Sequence, residues 1–202
     1  MNSLGLAAGL MDLDNPDPKF FDPQVIAHAL SQICRFTGHT REFWSVAEHC
    51  LLVVKSVSLL SDQETKDLGV NPKDYKNLQL QALLHDASEA FLGDVSTPIK
   101  SMLPQYKIIE KEFEHRIYDR FKVVRTKESD AIVKAADLMC LKFEAETYLI
   151  PEGATEPWVE RIQIEKPFDR IYKVLKTLPP RYFKHPDYVC RRYLAKLAEL
   201  TD

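Results

Sequence analysis

Two imidazoles and two carboxylates recur through this sequence in a pattern able to bind a divalent metal. His49 comes first, then the dipeptide His85-Asp86 inside LLHDASEAFLGD, then Asp137 in AADLMCLKF. Each falls on a segment that reads as helix. A mixed nitrogen and oxygen donor set can hold one ion and leave coordination positions open. Glu89 follows His85 by four residues and Asp86 by three, so a further carboxyl shares their helix face. Asp94 comes shortly after it. A metal with acid–base groups beside it is equipped for hydrolysis, and a phosphate ester is the expected substrate.

Each residue has a plainer role available. His49 could be a core histidine, and Asp137 could be ion-paired with Lys134 or Lys142. Glu89 could be a solvated helix residue, and Asp94 a turn former after Gly93. The joint pattern is what points to a metal, since a carboxylate in the apolar run around Asp137 is costly to bury unless a cation neutralises it. Adjacent helical residues diverge by about 100°. His85 and Asp86 can therefore reach one ion only in a cleft, which the segments carrying His49 and Asp137 would close.

A phosphate needs positive charge beyond that ion. Lys100 in TPIK is a candidate, with hydroxyls from Ser96 and Thr97, while His39 and Arg41 are weaker ones. Trp44 could stack on a base or act as a hydrophobic staple before a helix N-cap.

The elements that must position these groups are helical. Apolar residues recur mostly at helical spacing, there are only 6 glycines, and no segment alternates convincingly as a strand. An all-α, single-domain bundle is expected over residues 22–202, preceded by an irregular segment over 1–21. Its DxDN start at Asp12 fails as a calcium loop, because the sixth position is Asp17 and the twelfth is Pro23. The first helix starts at the N-cap Asp22 with Pro23 behind it, buries Val25, Ile26, Ala29, Leu30 and Ile33, and ends near Arg35. The second opens at Ser45 with a capping box to Glu48 and runs through His49 to about Leu60. A polar connection follows over 61–72. The third helix runs unbroken from Asn71-Pro72 to Phe91, with Gly93 as its stop. Residues 96–104 read as a loop. The fourth, about 105–121, is expected to bury Ile108, Ile109, Phe113, Ile117 and Phe121. The fifth runs from about Lys127 to Leu149. Two more, near 167–178 and 186–200, flank the Pro179-Pro180 break.

The bulk properties agree with a soluble domain. The 202 residues can enclose a substantial core, and 45% hydrophobic with 28% charged residues is ordinary. A net charge of −3 gives no basic surface for a nucleic-acid polymer. The N-terminus has no basic region preceding an apolar one, and no run approaches the ~18 residues of a membrane span. Cys34, Cys50, Cys140 and Cys190 form no CxxC and read as free thiols of a reducing compartment. The cytoplasm is the expected location, that of a host if the protein is phage-encoded.

The segments SVAEH, ALLHDASEAFLGDVSTPIK and KAADLMCLKFEAE resemble the H…HD…D pattern of the HD-domain metal-dependent phosphohydrolases. Within them, HDASE followed by GD and TPxK is similar to the YfbR-like deoxyribonucleotide 5′-phosphohydrolases. The stretch IAHALSQICRFTGHTREFWSVAEH resembles phage and prophage members, one branch of which is the dATP triphosphohydrolases called DatZ. The resemblance spans about residues 24–148. It implies His49, His85, Asp86 and Asp137 as ligands of one divalent ion, drawn from Mn, Co, Fe, Ni, Mg or Zn. It implies Glu89 and Asp94 as the catalytic pair, with acid and base roles open between them. It sets Arg35 and Phe36 against the substrate, with the guanidinium forking onto phosphate. It also implies a homodimer or larger ring.

The expected reaction is water attack at the α-phosphorus of a deoxyribonucleotide, giving a deoxynucleoside and phosphate or triphosphate. A triphosphate would recruit Lys107, Lys111 or Arg116 from the fourth helix. The alternatives are a non-catalytic HD-fold protein that binds a nucleotide, a nucleotide pyrophosphohydrolase, and a metal-dependent oxygenase. The full ligand set with Glu89 and Asp94 speaks against the first. The presence of only six histidines speaks against the last.

Overall fold

The computed structural model describes residues 3–6, 9–177 and 184–202. The expected break at Pro179-Pro180 lies outside them. The described residues form a bundle of helices around one main apolar core, with a small second cluster at Ala145, Ile150 and Val159.

The N-terminal segment is more ordered than its sequence suggests. Strands β1 (Ser3–Leu6) and β2 (Gly9–Asp12) pair antiparallel, with Ser3 opposite Asp12. Gly9, at φ 122°, opens the second strand in a backbone region closed to other residues. Met11 is fully buried, and this anchors the hairpin that was expected to be irregular. Phe20 and Phe21 are buried too, and Phe21 meets Phe91 and Phe113 edge to face.

Helix α1 (Pro23–Gln32) starts as expected, with the Asp22 carboxylate accepting from the Gln24 amide. It ends sooner, at Gln32. Ile33 is extended, and Cys34 bridges to Ser45. Helix α2 (Val46–Val57) carries the predicted capping box in full: Ser45 takes the Glu48 amide, and Glu48 returns to the Ser45 amide. The polar connection contains a helix of its own, α3 (Asp62–Asp67), opened by a second capping box from Ser61 and Glu64.

The third expected helix is divided. A 3-10 turn at Pro72–Asp74 leads into α4 (Tyr75–Leu84), and α5 (Glu89–Leu92) follows a separate turn. Across the join the amides of Ala87, Glu89, Ala90 and Phe91 bond three residues back, a tighter winding than the α-helix. Gly93 ends α5 at φ 77°. The expected loop at 96–104 holds α6 (Thr97–Met102), with Pro98 in its first turn. Helix α7 (Pro104–Phe121) buries Phe113, Ile117 and Tyr118. Ile108 and Ile109 are exposed, contrary to expectation: Ile109 shares a face with Phe113 and Ile117, but burial along α7 begins only at Phe113, so the first turns of the helix lie outside the core. Helix α8 (Lys127–Glu144) passes into a π-helical turn at Ala145–Leu149. The short α9 (Pro157–Glu160), then α10 (Phe168–Lys176) and α11 (Pro186–Thr201), complete the chain. Helix α2 packs on α4 and α8, α1 on α11, and α10 on α8. Among the described residues, no helix is long and apolar enough to cross a membrane.

Candidate metal centre and active site

Helices α4 and α8, packed on α2, bring the predicted donors together. His49 lies one turn into α2 and is fully buried. His85 closes α4, Asp86 sits on the turn after it, and Asp137 lies midway along α8. The side chains of His49, His85 and Asp86 place ligand atoms within 4.8 Å of one another and form a group that can hold a metal ion. The Nε2 atoms of the two histidines stand 3.2 Å apart. Asp86 Oδ2 is 3.2 Å from His85 Nε2 and 3.5 Å from His49 Nε2. Asp137 joins through Oδ1, 3.2 Å from His49 Nε2, while its Oδ2 takes the Lys134 ammonium at 2.7 Å. The ion pair with Lys134 and the place beside His49 therefore coexist.

The opposite edge of each ring fits this set to a cation. His49 Nδ1–H donates to Glu144 Oε1 at 2.8 Å, and His85 Nδ1–H donates to the Ala82 carbonyl at 2.9 Å. Both Nε2 atoms are then left as acceptors, the form in which imidazole ligates a metal. Two nitrogen lone pairs facing each other at 3.2 Å repel unless a positive species lies between them. Burial disfavours a charged imidazole, yet Asp86 raises His85 well above its ordinary pKa. Burial also opposes ionisation of Asp86 and Asp137, but the two imidazoles hold both carboxyls below the usual range.

The acid–base candidates line one edge. Glu89 is buried, and its Oε2 makes no hydrogen bond. Burial, then the negative charges of Asp86 and Asp94, push its pKa well above the ordinary carboxyl value. Asp94, after Gly93, is also raised, chiefly by burial and against the pull of Arg35. Lys100 Nζ stands 3.4 Å from Glu89 Oε1 and pairs with Glu110.

The substrate candidates fare unequally. Arg35 is buried on a short turn where Phe36 and Thr37 adopt positive φ, and its Nη1 lies 3.7 Å from Asp86 Oδ2. Phe36 sits beneath the guanidinium, 5.6 Å from ring centre to carbon, and packs against Ala145 and Ile150. Lys100 is shared between two carboxylates, and Thr97 stands exposed at the start of α6. Trp44 stacks on Tyr148 with 4.4 Å between ring centres, which gives it a packing role just before the N-cap of α2. Arg116 is tied to Glu112 and to the N-terminal segment, and Lys107 and Lys111 are exposed.

Sequence reasoning missed Glu144. Its carboxylate is fully buried and takes His49 on one oxygen and Arg35 Nε, at 3.0 Å, on the other. The available signal was its spacing, seven residues after Asp137 and so on the same face of α8. Cys50 lies next to His85, and burial pushes its thiol up to about 11, which leaves it inert. All four cysteines are free, with Cys50 and Cys140 buried. A cavity of about 650 Å³ opens on another face of α8, lined by Arg41, Trp44, Phe143 and Thr147 among others. None of the four predicted ligands borders it.

Residues 25–149 match the family described as 5′-deoxynucleotidase YfbR-like. The uncharacterized protein YfdR of Escherichia coli (strain K12) is 32% identical over 146 residues, covering 72% of this chain and 71% of that protein. An uncharacterized protein of Rhodobacter capsulatus is 33% identical over 162 residues, covering 78% of this chain and 76% of its own. The 5′-deoxynucleotidase of Vibrio cholerae is 34% identical over 115 residues, 48% of this chain and 58% of that enzyme. Fold, site and matches together define a helical-bundle hydrolase of phosphate esters. The chain belongs to the YfbR-like 5′-deoxynucleotidase family.

Proposed function

We propose that this protein hydrolyses the 5′-phosphate ester of deoxyribonucleotides, and that His49, His85, Asp86 and Asp137 hold the single divalent ion it uses. The observation that carries the reading is the meeting of two imidazole Nε2 atoms and the Asp86 carboxylate, with Arg35 against that same carboxylate. The family match and the 5′-deoxynucleotidase relatives support it. The ion, when bound, supplies Lewis-acid activation of water and of a phosphoryl oxygen.

The protein's own groups do the rest. The Nη atoms of Arg35 hold phosphate oxygens, since its Nε is already committed to Glu144. Phe36, under that guanidinium, covers the nucleoside side. Water adds to the α-phosphorus while the bond from phosphorus to the 5′-oxygen breaks. Glu89, whose environment keeps it protonated, gives its proton to the departing 5′-oxygen. Asp94 takes the proton that the water loses. Lys100 holds Glu89 in place and limits the charge left there once the proton has gone.

On this reading Arg35 and Phe36 lie on the nucleoside side of the attacked phosphorus. A triphosphate substrate would then release intact triphosphate. The test is turnover of dAMP and dATP in ¹⁸O-labelled water, with products resolved by mass spectrometry. Label is expected in the phosphate or triphosphate, with an unlabelled deoxynucleoside. Formation of dAMP and pyrophosphate from dATP would overturn the reading in favour of a pyrophosphohydrolase.

A further inference from the structure

We propose that Glu144 is a positioning residue that ties metal loading to phosphate anchoring, one carboxylate oxygen setting the His49 tautomer and the other aiming the Arg35 guanidinium. The phosphate half of this inference rests on the function proposed above; the His49 half does not.

The geometry divides the work cleanly. Glu144 Oε1 accepts from His49 Nδ1 at 2.8 Å, and Oε2 accepts from Arg35 Nε at 3.0 Å. A ring whose Nδ1–H is held in this way presents Nε2 as a lone pair, and His49 Nε2 is the atom that faces His85, Asp86 and Asp137. Arg35 needs a tether for a different reason. It springs from a four-residue 3-10 turn with two residues at φ 53°, held through its own amide to the Trp44 carbonyl. Such a turn does not by itself fix a long side chain, which carries large rotamer entropy. The bond at Nε removes that freedom and leaves Nη1 3.7 Å from Asp86 Oδ2.

The pairing also explains why so buried a carboxylate is tolerated. An isolated buried charge is strongly disfavoured, and Arg35 offsets that of Glu144 directly. The arrangement works from one rigid element, because α8 carries both Asp137 and Glu144 on the same face. A shift of α8 would move a ligand, the support of a second ligand and the phosphate anchor together.

Glutamine makes the test sharp. Two donors converge on Glu144, and an amide offers one acceptor oxygen where the carboxylate offers two. Full-length protein carrying Glu144→Gln or Glu144→Ala would be stripped of metal and titrated with Mn²⁺. Then, at saturating Mn²⁺, KM for dAMP would be measured. Glu144→Ala is expected to weaken Mn²⁺ binding by roughly 10–100-fold, the usual effect of removing a partner behind a ligating histidine. It should also raise KM about tenfold or more, the worth of one charge-assisted hydrogen bond. Glu144→Gln should spare one property and impair the other. A variant with a lower Tm but unchanged Mn²⁺ affinity and KM would make Glu144 merely structural and overturn the proposal. So would failure of both variants to fold, judged by circular dichroism, or movement of only one constant in Glu144→Ala. If the wild-type protein binds Mn²⁺ but neither binds nor hydrolyses dAMP, the function proposed above fails instead, and the Mn²⁺ titration alone still decides the hold of Glu144 on His49.

Discussion

Glu89 occupies a place that suits its neutral form. One oxygen is buried without a hydrogen-bond partner, two carboxylates lie nearby, and the positive charges of Lys100, at its side, and Arg35 do not outweigh them and the burial. Because its folded pKa lies above its unfolded value of 4.5, the folded state binds more protons than the unfolded state between those two values. Stability therefore falls as pH rises through that window. In metal-free protein, Glu89→Gln should raise the thermal midpoint at pH 8, and the gain should vanish near pH 4, where the wild-type side chain is neutral as well. The same substitution should slow turnover by roughly 10²–10⁴ with metal content unchanged, since only the transferable proton is lost. Loss of the metal in Glu89→Gln, measured by elemental analysis, would make Glu89 a ligand and remove its acid role.

The elements hold the candidate ligands in place through their ends as well as their faces. Helix α2 carries His49 one turn inside its N-terminus, where the Ser45–Glu48 box closes the first turn. Ser45→Ala should cost about 1 kcal/mol, the typical worth of an N-cap hydroxyl. The expected signature is a lower urea midpoint with an unchanged m-value; an unaltered midpoint would show that the box adds nothing to this helix. The division between α4 and α5 matters for another reason. It falls between the two donors: His85 closes α4 and Asp86 stands on the turn, and both place an atom within 3.5 Å of His49 Nε2. The stretch ALLHDASEAF contains neither Gly nor Pro, so nothing in its pattern announces the break. The box that opens α3 is different: Ser61 and Glu64 stand in the S-x-x-E spacing, and only the short polar helix behind them disguised it.

At the scale of the molecule, the cluster concentrates charge that folding alone does not reward. Asp86, Asp137 and Glu144 gather around two imidazoles, and Arg35 is their one closely paired guanidinium among the described residues. Metal binding should therefore appear as stability. An ion present at about a hundred times its Kd adds ~2.7 kcal/mol. For a domain of this size that is a rise of roughly 5–10 °C in Tm. Chelation should reverse it, and Asp86→Ala should abolish the metal-dependent shift along with turnover. A Tm in Asp86→Ala that still responds fully to metal would place the ion elsewhere.

What the sequence by itself determined is local. Helical periodicity, the N-caps at Asp22 and Ser45, and the residue types His49, His85, Asp86, Asp137 and Glu89 all follow from patterns within a few turns of chain. Tertiary structure decided what meets what. Arg35 and Glu144 lie 109 positions apart, and no spacing rule joins them. Packing of α2 against α4 and α8 turns two histidine Nε2 atoms toward one point. It assigns Lys100 to Glu89 and Glu110, and leaves Ile108 and Ile109 outside the core. Periodicity tells which residues share a face of one helix. Which face turns inward, and which buried charges then find partners, depends on how distant elements pack.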